Sequence, residues 1–126
     1  MNQPKEEIIK KFIAAYNSFD IDSMLLLLHS EVQFKNISNG EVNVQTAGKD
    51  EFRKLAKQSA TIFKEREQKI VLYKETDNKA NVEIQYRAIL ALDLPGELES
   101  GEYIDMHGKS EYNFKDGLIV SIIDES

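Results

Sequence analysis

Asp105 and His107 are the two residues of this sequence best placed for acid–base chemistry. They lie two positions apart in a segment with strand-like alternation, so their side chains would share one face of a sheet. Asp105 could hold the His107 imidazole in one tautomer and make it a general base. The same alternation turns both residues outward if Met106 and Ser110 face inward, which would make them a solvated or dimer-facing pair. A bulge at Gly108 would reverse the face, so both interpretations stay open.

Metal and phosphate chemistry have little support in the sequence. The chain has no cysteine and two histidines, which excludes thiolate catalysis, disulfides and His-rich metal sites. Glu97, Glu99 and Glu102 fit a solvated acidic loop better than a metal site, and no calcium-loop spacing occurs. His29 follows a leucine run, where we expect it to cap the end of a helix. The glycines lie singly at turns, so we expect no phosphate loop, no metal and no cofactor.

The charge balance argues against nucleic acid as a partner. The chain carries 16 basic and 22 acidic residues, a net charge of −6, whereas non-specific phosphate binding needs a basic face. Lys54, Lys57, Lys64 and Arg66 are interpreted as the solvated side of a helix. The longest apolar run, Met24 to Leu28, is far shorter than the ~20 residues that a membrane helix needs, and the N-terminus lacks signal-peptide features. We expect a cytoplasmic protein that binds neither nucleic acid nor membranes.

Helical periodicity dominates the first half of the chain. Apolar residues from Ile8 to Tyr16 recur at helical spacing and predict a first helix. Asp20 is a good N-cap for a short, well-buried second helix that carries Met24 to Leu28. A third helix is predicted after Gly48, with an apolar stripe that continues to Phe63.

The remaining segments have strand patterns. The turn signal Asn39-Gly40 joins two short strands before the third helix. Every even position from Val82 to Leu92 is apolar, which predicts a long strand with one buried face, and Leu94-Pro95-Gly96 fits a type II turn. Other strands are expected at 68–73, 103–114 and 118–123. The order is α-α-β-β-α-β-β-β-β, an α+β domain spanning 1–126 with hairpin-joined, antiparallel strands.

Three segments in this order carry a family resemblance. They are Phe12-Ile13-Ala14-Ala15-Tyr16 leading to Asp20-Ile21-Asp22, then Gly48-Lys49-Asp50-Glu51-Phe52, and finally Gly108 to Phe114 with Asp116-Gly117-Leu118-Ile119-Val120. Together they resemble the SnoaL-like branch of the nuclear transport factor 2-like superfamily, over nearly the whole chain. The resemblance implies a cone, in which a strongly curved mixed or antiparallel sheet wraps around three helices and leaves an apolar pocket. It also implies a homodimer formed through the outer face of the sheet.

The resemblance does not fix an activity, because the superfamily includes polyketide cyclases, ketosteroid isomerases, dehydratases and proteins without catalysis. The positions of the three ketosteroid isomerase groups fall on Phe12, Asn36 and Ser110, none of which can do that chemistry. Asn36 and Ser110 could instead orient a ligand carbonyl or hydroxyl. Alternatively, Asn36 satisfies a buried backbone group.

The resemblance also suggests the walls of a pocket. Buried tyrosines need hydrogen-bond partners, which a ligand could supply, although each such aromatic residue could equally be plain core. The candidate ligand-binding residues are Tyr16, Asn36, Phe52, Phe63, Tyr86, Leu90, Met106, Ser110 and Tyr112. The leading hypothesis is a homodimer that binds a small apolar molecule and catalyses cyclisation, isomerisation or dehydration by proton transfer. The alternative is a dimerisation or binding module without catalysis.

Overall fold

The computed structural model describes residues 4–93 and 99–126. Within these ranges the helices are α1 (Lys5–Asn17), α2 (Ile21–Leu26) and α3 (Lys49–Ala60), and the strands are β1 (Leu28–Ser38), β2 (Glu41–Ala47), β3 (Phe63–Thr76), β4 (Lys79–Leu90), β5 (Tyr103–Lys115) and β6 (Leu118–Glu125). The α+β class and the predicted order of elements are confirmed.

The described strands form one curved sheet in the order β2-β1-β6-β5-β4-β3. All neighbours are antiparallel except β1 and β6, which run parallel. Hairpin connections alone predict an antiparallel sheet. The sheet is mixed because the last strand returns along the middle and lies between β1 and β5, a long-range pairing that no local turn signal encodes.

Local sequence signals explain several of the element ends. The Asp20 carboxylate accepts a hydrogen bond from the Ser23 backbone N–H at 3.2 Å and caps α2. The β1–β2 turn places Asn39 at φ 53° and Gly40 at φ 81°, in the left-handed region that these residues tolerate. Asp116 and Gly117 do the same between β5 and β6.

The second helix is shorter than its leucine run suggests. It ends at Leu26, whose side chain is 77% exposed, and Leu28 is the first, fully buried residue of β1. The expectation that the whole run is helical and buried is therefore wrong. His29 consequently lies in a strand, where its Nδ1 accepts a hydrogen bond from the Glu31 N–H at 3.0 Å and its Nε2 lies 3.7 Å from Asp116 Oδ2. It does not cap α2.

The third helix also ends earlier than its apolar stripe. The Thr61 hydroxyl donates to the Gln58 carbonyl at 2.7 Å, and the Ile62 N–H donates to the Ser59 carbonyl at 3.1 Å. These bonds close the last turn after Ala60, so Phe63 begins β3 instead of continuing the helix. Arg66 therefore lies on a strand, and its side chain is buried instead of belonging to a solvated helical face.

The alternation from Val82 onward gives the predicted buried face, but the strand stops early. Val82, Ile84, Ala88 and Leu90 are buried, whereas Leu92 lies beyond β4 and is 49% exposed. The Leu94-Pro95-Gly96 turn and Glu97 lie outside the described residues.

The inner face of the sheet packs against the helices to form the core. Ile9 of α1 and the strand residues Val32, Tyr112, Ile119 and Ile122 are all buried in this cluster. Apolar side chains at this depth each contribute roughly 1.5–3 kcal/mol to folding. No helix in residues 4–93 and 99–126 has the length and apolarity needed to cross a membrane.

Candidate functional site

A row of paired residues crosses the inner face of the sheet. Asn36 on β1 pairs with Val44 on β2 and with Asp124 on β6, Asp124 pairs with Ser110 on β5, and Ser110 pairs with Val82 on β4. Directly paired residues share a face, so the register brings the polar members together. The site therefore depends on the parallel β1–β6 pairing.

Asp124 and Ser110 form the closest side-chain contact of this row. Ser110 Oγ donates to Asp124 Oδ1 over 2.6 Å, a length typical of a hydroxyl bound to a charged carboxylate. Burial raises the pKa of Asp124 to about 6, although the Ser110 hydrogen bond opposes that rise by favouring the charged form. Asp124 keeps a partial exposure because its carboxyl group faces a cavity.

A pair of tyrosines lies in the same cavity. The Tyr16 and Tyr86 hydroxyl oxygens are 2.9 Å apart, so one phenol donates to the other. Desolvation by burial raises the pKa of both phenols, and each therefore stays protonated at neutral pH. Because the pair uses only one hydroxyl hydrogen between its members, the second hydrogen is available to another acceptor.

Arg66 packs against this tyrosine pair. Its side chain is 5% exposed, and its Nε donates to the Tyr16 carbonyl oxygen at 2.8 Å. The guanidinium carbon lies 3.7 Å from the centroid of the Tyr16 ring and 4.3 Å from that of Phe19. These contacts are cation–π interactions, which fix the guanidinium beside the cavity.

The cavity has a volume of about 400 Å³ and is open on one side. Eight of the nine candidate ligand-binding residues lie along it, the exception being Leu90. The structure thus brings together Tyr16, Asn36, Phe52, Phe63, Tyr86, Met106, Ser110 and Tyr112. Leu90 is 1% exposed and is not among the residues that line the cavity.

Two of these wall residues differ in detail from expectation. Met106 pairs with Tyr86 on the inner face but is 42% exposed, because it lies at the open rim. The Asn36 side chain donates from Nδ2 to Asn43 Oδ1 at 2.9 Å. Its partner is therefore a side chain at the irregular β1–β2 pairing, not a buried backbone group.

Asp105 and His107 alternate with the inward-facing Met106 along β5, so their side chains point to the outer face of the sheet, although His107 also borders the cavity. Their partners in β4 are Arg87 and Gln85, and the pairing stays regular through Gly108, so no bulge reverses the face. Gln85 Nε2 donates to Asp105 Oδ1 at 3.3 Å, and Arg87 Nε lies 3.8 Å from Asp105 Oδ2. Asp105 thus pairs with β4 rather than orienting the imidazole.

Sequence reasoning missed four charged residues that border the cavity, and two of them, Asp124 and Arg66, are central to its chemistry. The other two are Lys109 and Glu125. Asp124 lies one residue beyond the predicted end of the last strand. Its spacing of two from Ile122 is the signal that would have placed it inward. Arg66 was assigned to the solvated face of a helix, because the predicted third helix extended across the start of β3.

A comparison with protein families assigns the chain to a known group. The SnoaL-like domain matches residues 9–122. The chain belongs to the SnoaL-like domain family. No curated protein sequence matches this SnoaL-like chain.

Several solved structures share the fold of this SnoaL-like protein. A candidate polyketide cyclase from Xanthomonas campestris pv. campestris matches with a TM-score of 0.82 and 15% identity, over 96% of this chain and 88% of that one. IdmH, a candidate polyketide cyclase from Streptomyces antibioticus, matches with a TM-score of 0.81 and 12% identity, over 97% and 91%. An NTF2-like protein of unknown function from Burkholderia pseudomallei matches at 0.78 and 15% identity, over 94% and 87%. These identities establish a common fold.

The side chains of this SnoaL-like cavity have acid–base chemistry of their own. No group of three or more His, Asp or Glu residues within the described ranges is arranged to hold a metal ion. The side chains of the cavity include a carboxyl group with a pKa near neutrality, neutral phenols and a guanidinium. Such a set can accept and return protons and stabilise a negative oxygen.

Proposed function

We propose that this SnoaL-like protein binds a small, mostly apolar molecule in the cavity and catalyses proton transfer within it, with Asp124 as the acid–base group. The supporting observation is the position of Asp124 in an apolar cavity, with a pKa raised to about 6 by burial. A general base works best when its pKa lies near the operating pH, because it is then both ionised and basic enough to accept a proton.

The reaction class that suits these groups is an intramolecular carbon–carbon bond formation. The Asp124 carboxylate takes a proton from a carbon next to a carbonyl group, leaving an enolate. The enolate carbon attacks a second carbonyl carbon of the same molecule, and the new alkoxide recovers a proton from the Asp124 carboxylic acid. Atoms and charge balance, and no co-reactant is required.

The tyrosine pair would assist by stabilising the enolate oxygen. One phenol of the Tyr16–Tyr86 pair retains a hydroxyl hydrogen that the other does not accept. A donor held in place before the reaction stabilises developing negative charge without reorganising. The fold shared with two candidate polyketide cyclases is in keeping with a cyclisation, although it does not identify the substrate.

Hydrogen exchange tests the proposal without knowledge of the natural substrate. The probe is 2-tetralone, an apolar ketone with exchangeable hydrogens beside its carbonyl group, followed by proton NMR in deuterated buffer. We expect the wild type to accelerate exchange above the buffer rate, with a pH profile that rises around 6. Asp124→Asn should lose this acceleration, since an amide is not a base.

Asp105→Asn is the matched control, because Asp105 is a carboxylate on the outer face. It should exchange 2-tetralone at the wild-type rate. Wild-type activity in Asp124→Asn, or equal losses in both variants, would contradict the assignment.

A binding module without catalysis is the second candidate. The hydrogen bonds that Tyr16, Asn36 and Ser110 already make within the protein favour this candidate. The cavity of about 400 Å³ argues against it, because a module that binds nothing in the cone does not need such a space. Binding of 2-tetralone, measured by calorimetry, without accelerated exchange would favour the module.

We also propose that the protein forms a homodimer through the outer face of the sheet. Tyr103, which is 59% exposed, pairs with Ile89 on that face, next to the polar Arg87–Asp105 pair. Aromatic side chains of this kind are enriched at interfaces. Sedimentation should give a dimer mass for the wild type and a monomer mass for Tyr103→Glu. A monomeric wild type would refute the proposed dimer.

A further inference from the structure

Arg66 is a buried charge that the fold holds in one place. It is stacked between the Tyr16 and Phe19 rings, and its Nε is used by the Tyr16 carbonyl oxygen. The side chain lines the cavity described above. Its guanidinium therefore cannot move to the surface without losing all three contacts.

Within residues 4–93 and 99–126 this charge has no counter-ion. No carboxylate among the described residues forms an ion pair with Arg66. Besides the bond from Nε, the Arg66 side chain has a hydrogen-bond contact with the Tyr16 hydroxyl in the described part of the chain. A guanidinium has five N–H donors, so donors remain for another acceptor. Buried arginines are almost always paired, since an isolated charge in a low-dielectric site is costly. An anion bound at the guanidinium would supply the missing negative charge.

Asp124 does not neutralise Arg66, although both line the same cavity. Its carboxylate is bound by Ser110 instead. The cavity therefore presents the Asp124 carboxylate and the Arg66 guanidinium as separate groups, with aromatic side chains among its walls. The other charged residues that border it, Lys109 and Glu125, are exposed to solvent. A ligand that complements this pattern has an apolar body and one negative oxygen.

We propose that the molecule bound in this cavity is a flat, mostly apolar acid, with an ionised oxygen held by Arg66. The planar guanidinium can donate two parallel hydrogen bonds from Nη1 and Nη2, which suits a carboxylate or the oxygen of an acidic enol. The inference rests on the proposed function, because it assigns a substrate class to the same cavity. It places the ionised group away from the carbon on which Asp124 acts.

Two matched pairs of probes test the inference by titration calorimetry at pH 7.5. The first pair is 2-naphthoate and its neutral amide, 2-naphthamide. The second is 2-hydroxy-1,4-naphthoquinone, an acidic enol that is ionised at this pH, and its methyl ether. The wild type should bind the ionised member of at least one pair about ten- to a hundredfold more tightly, the usual range for a hydrogen bond to a charged group. The pair that shows this preference identifies the source of the oxygen.

Variants assign the preference to Arg66. Arg66→Met keeps a long side chain between the two rings. It should bind the ionised and the neutral member of each pair with about equal affinity. Arg66→Lys should keep part of the preference, since it retains the charge and loses the planar pair of donors. Lys64→Met is the matched control, because Lys64 is an exposed cation two residues away on β3 and should leave the preference unchanged.

The outcomes separate this inference from the proposed function. Equal affinities within both pairs for the wild type would overturn the inference alone, and this comparison does not depend on any variant folding. A preference that survives in Arg66→Met would also overturn it. Asp124→Asn should retain the preference while losing 2-tetralone exchange. If no probe binds, the inference and the proposed binding function both fail.

Discussion

Ser110 donates its hydroxyl hydrogen to Asp124 across the β5–β6 ladder, at an oxygen–oxygen distance of 2.6 Å. The bond favours the charged carboxylate, whereas the surrounding protein favours the neutral acid, and burial is the larger effect. The pKa of about 6 is therefore the balance between burial, which raises it, and the Ser110 hydrogen bond, which lowers it. Each can be removed separately by a substitution.

Asp124→Asn should stabilise the protein at alkaline pH. The folded-state pKa of Asp124 is about 6, above the ordinary value of about 3.9. Between these values the folded state binds more protons than the unfolded state, so the stability contributed by Asp124 falls as pH rises from about 4 to about 6. Above that window the charged carboxylate destabilises the fold by about 1–3 kcal/mol. An uncharged asparagine avoids this loss.

Urea denaturation of wild type and Asp124→Asn at pH 4.5 and pH 8 measures the effect. The difference in the free energy of unfolding should move in favour of the variant at pH 8. Asp105→Asn, changed on the outer face, should show no such shift between the two pH values. A difference for Asp124→Asn that does not depend on pH would refute the raised pKa.

Ser110→Ala should raise the pKa of Asp124 further. The substitution removes the hydrogen bond that stabilises the charged form and leaves the burial unchanged. Carbon-13 NMR of the side-chain carboxyl groups reports the midpoint directly. Ser59→Ala is a control, because Ser59 lines the cavity but does not bond Asp124. A lower midpoint in Ser110→Ala, or an equal rise in both variants, would show that the hydroxyl does not hold the carboxylate.

Tyr16→Phe and Tyr86→Phe should be coupled in their effects on stability. Each single variant removes one phenol and leaves the other without its partner at 2.9 Å, which costs about 1–3 kcal/mol for a buried group. The double variant leaves no unpaired phenol, so its loss should be smaller than the sum. Denaturant unfolding of the four proteins gives the coupling energy. Strict additivity would mean that the observed contact contributes nothing.

The sequence was sufficient for the order of the elements, and eight of the residues that it suggested as pocket walls lie along the cavity. The alternation in β4 and the turns at Asn39-Gly40 and Asp116-Gly117 are local signals, and the structure keeps all three. The resemblance supplied the cone, because no local signal encodes the position of β6 between β1 and β5.

The sequence was insufficient to place the charged side chains of Arg66 and Asp124 in the cavity. Whether an arginine is solvated or buried depends on where a helix stops, and the apolar stripe of α3 ran past its real end into Phe63. The inward position of Asp124 matters only because the sheet register brings Ser110 opposite it. Both facts are tertiary, so residue types and spacing alone do not determine them.

Substitutions of Leu90 and Met106 should affect different properties, the first the stability of the fold and the second the binding of a ligand. Leu90 is 1% exposed and lies outside the cavity lining. Leu90→Ala should therefore cost about 2–5 kcal/mol of unfolding free energy, as a cavity-forming change does, and leave the dissociation constant of 2-naphthoate within about twofold because no wall contact changes. Met106 is at the rim and 42% exposed. Met106→Ala should cost less than about 1 kcal/mol and weaken the binding of 2-naphthoate, because it removes apolar surface from the wall.

Calorimetry and urea unfolding on the two variants give both quantities. Leu92→Ala is a control for β4, since Leu92 lies beyond the end of the strand and is about half exposed. It should change neither quantity. If Leu90→Ala weakens binding while the protein remains folded, Leu90 contacts the ligand, and the cavity extends further along β4 than its present lining. If Met106→Ala leaves binding unchanged, the open rim makes no contact with the bound probe, and the ligand lies deeper, towards Asp124 and Arg66.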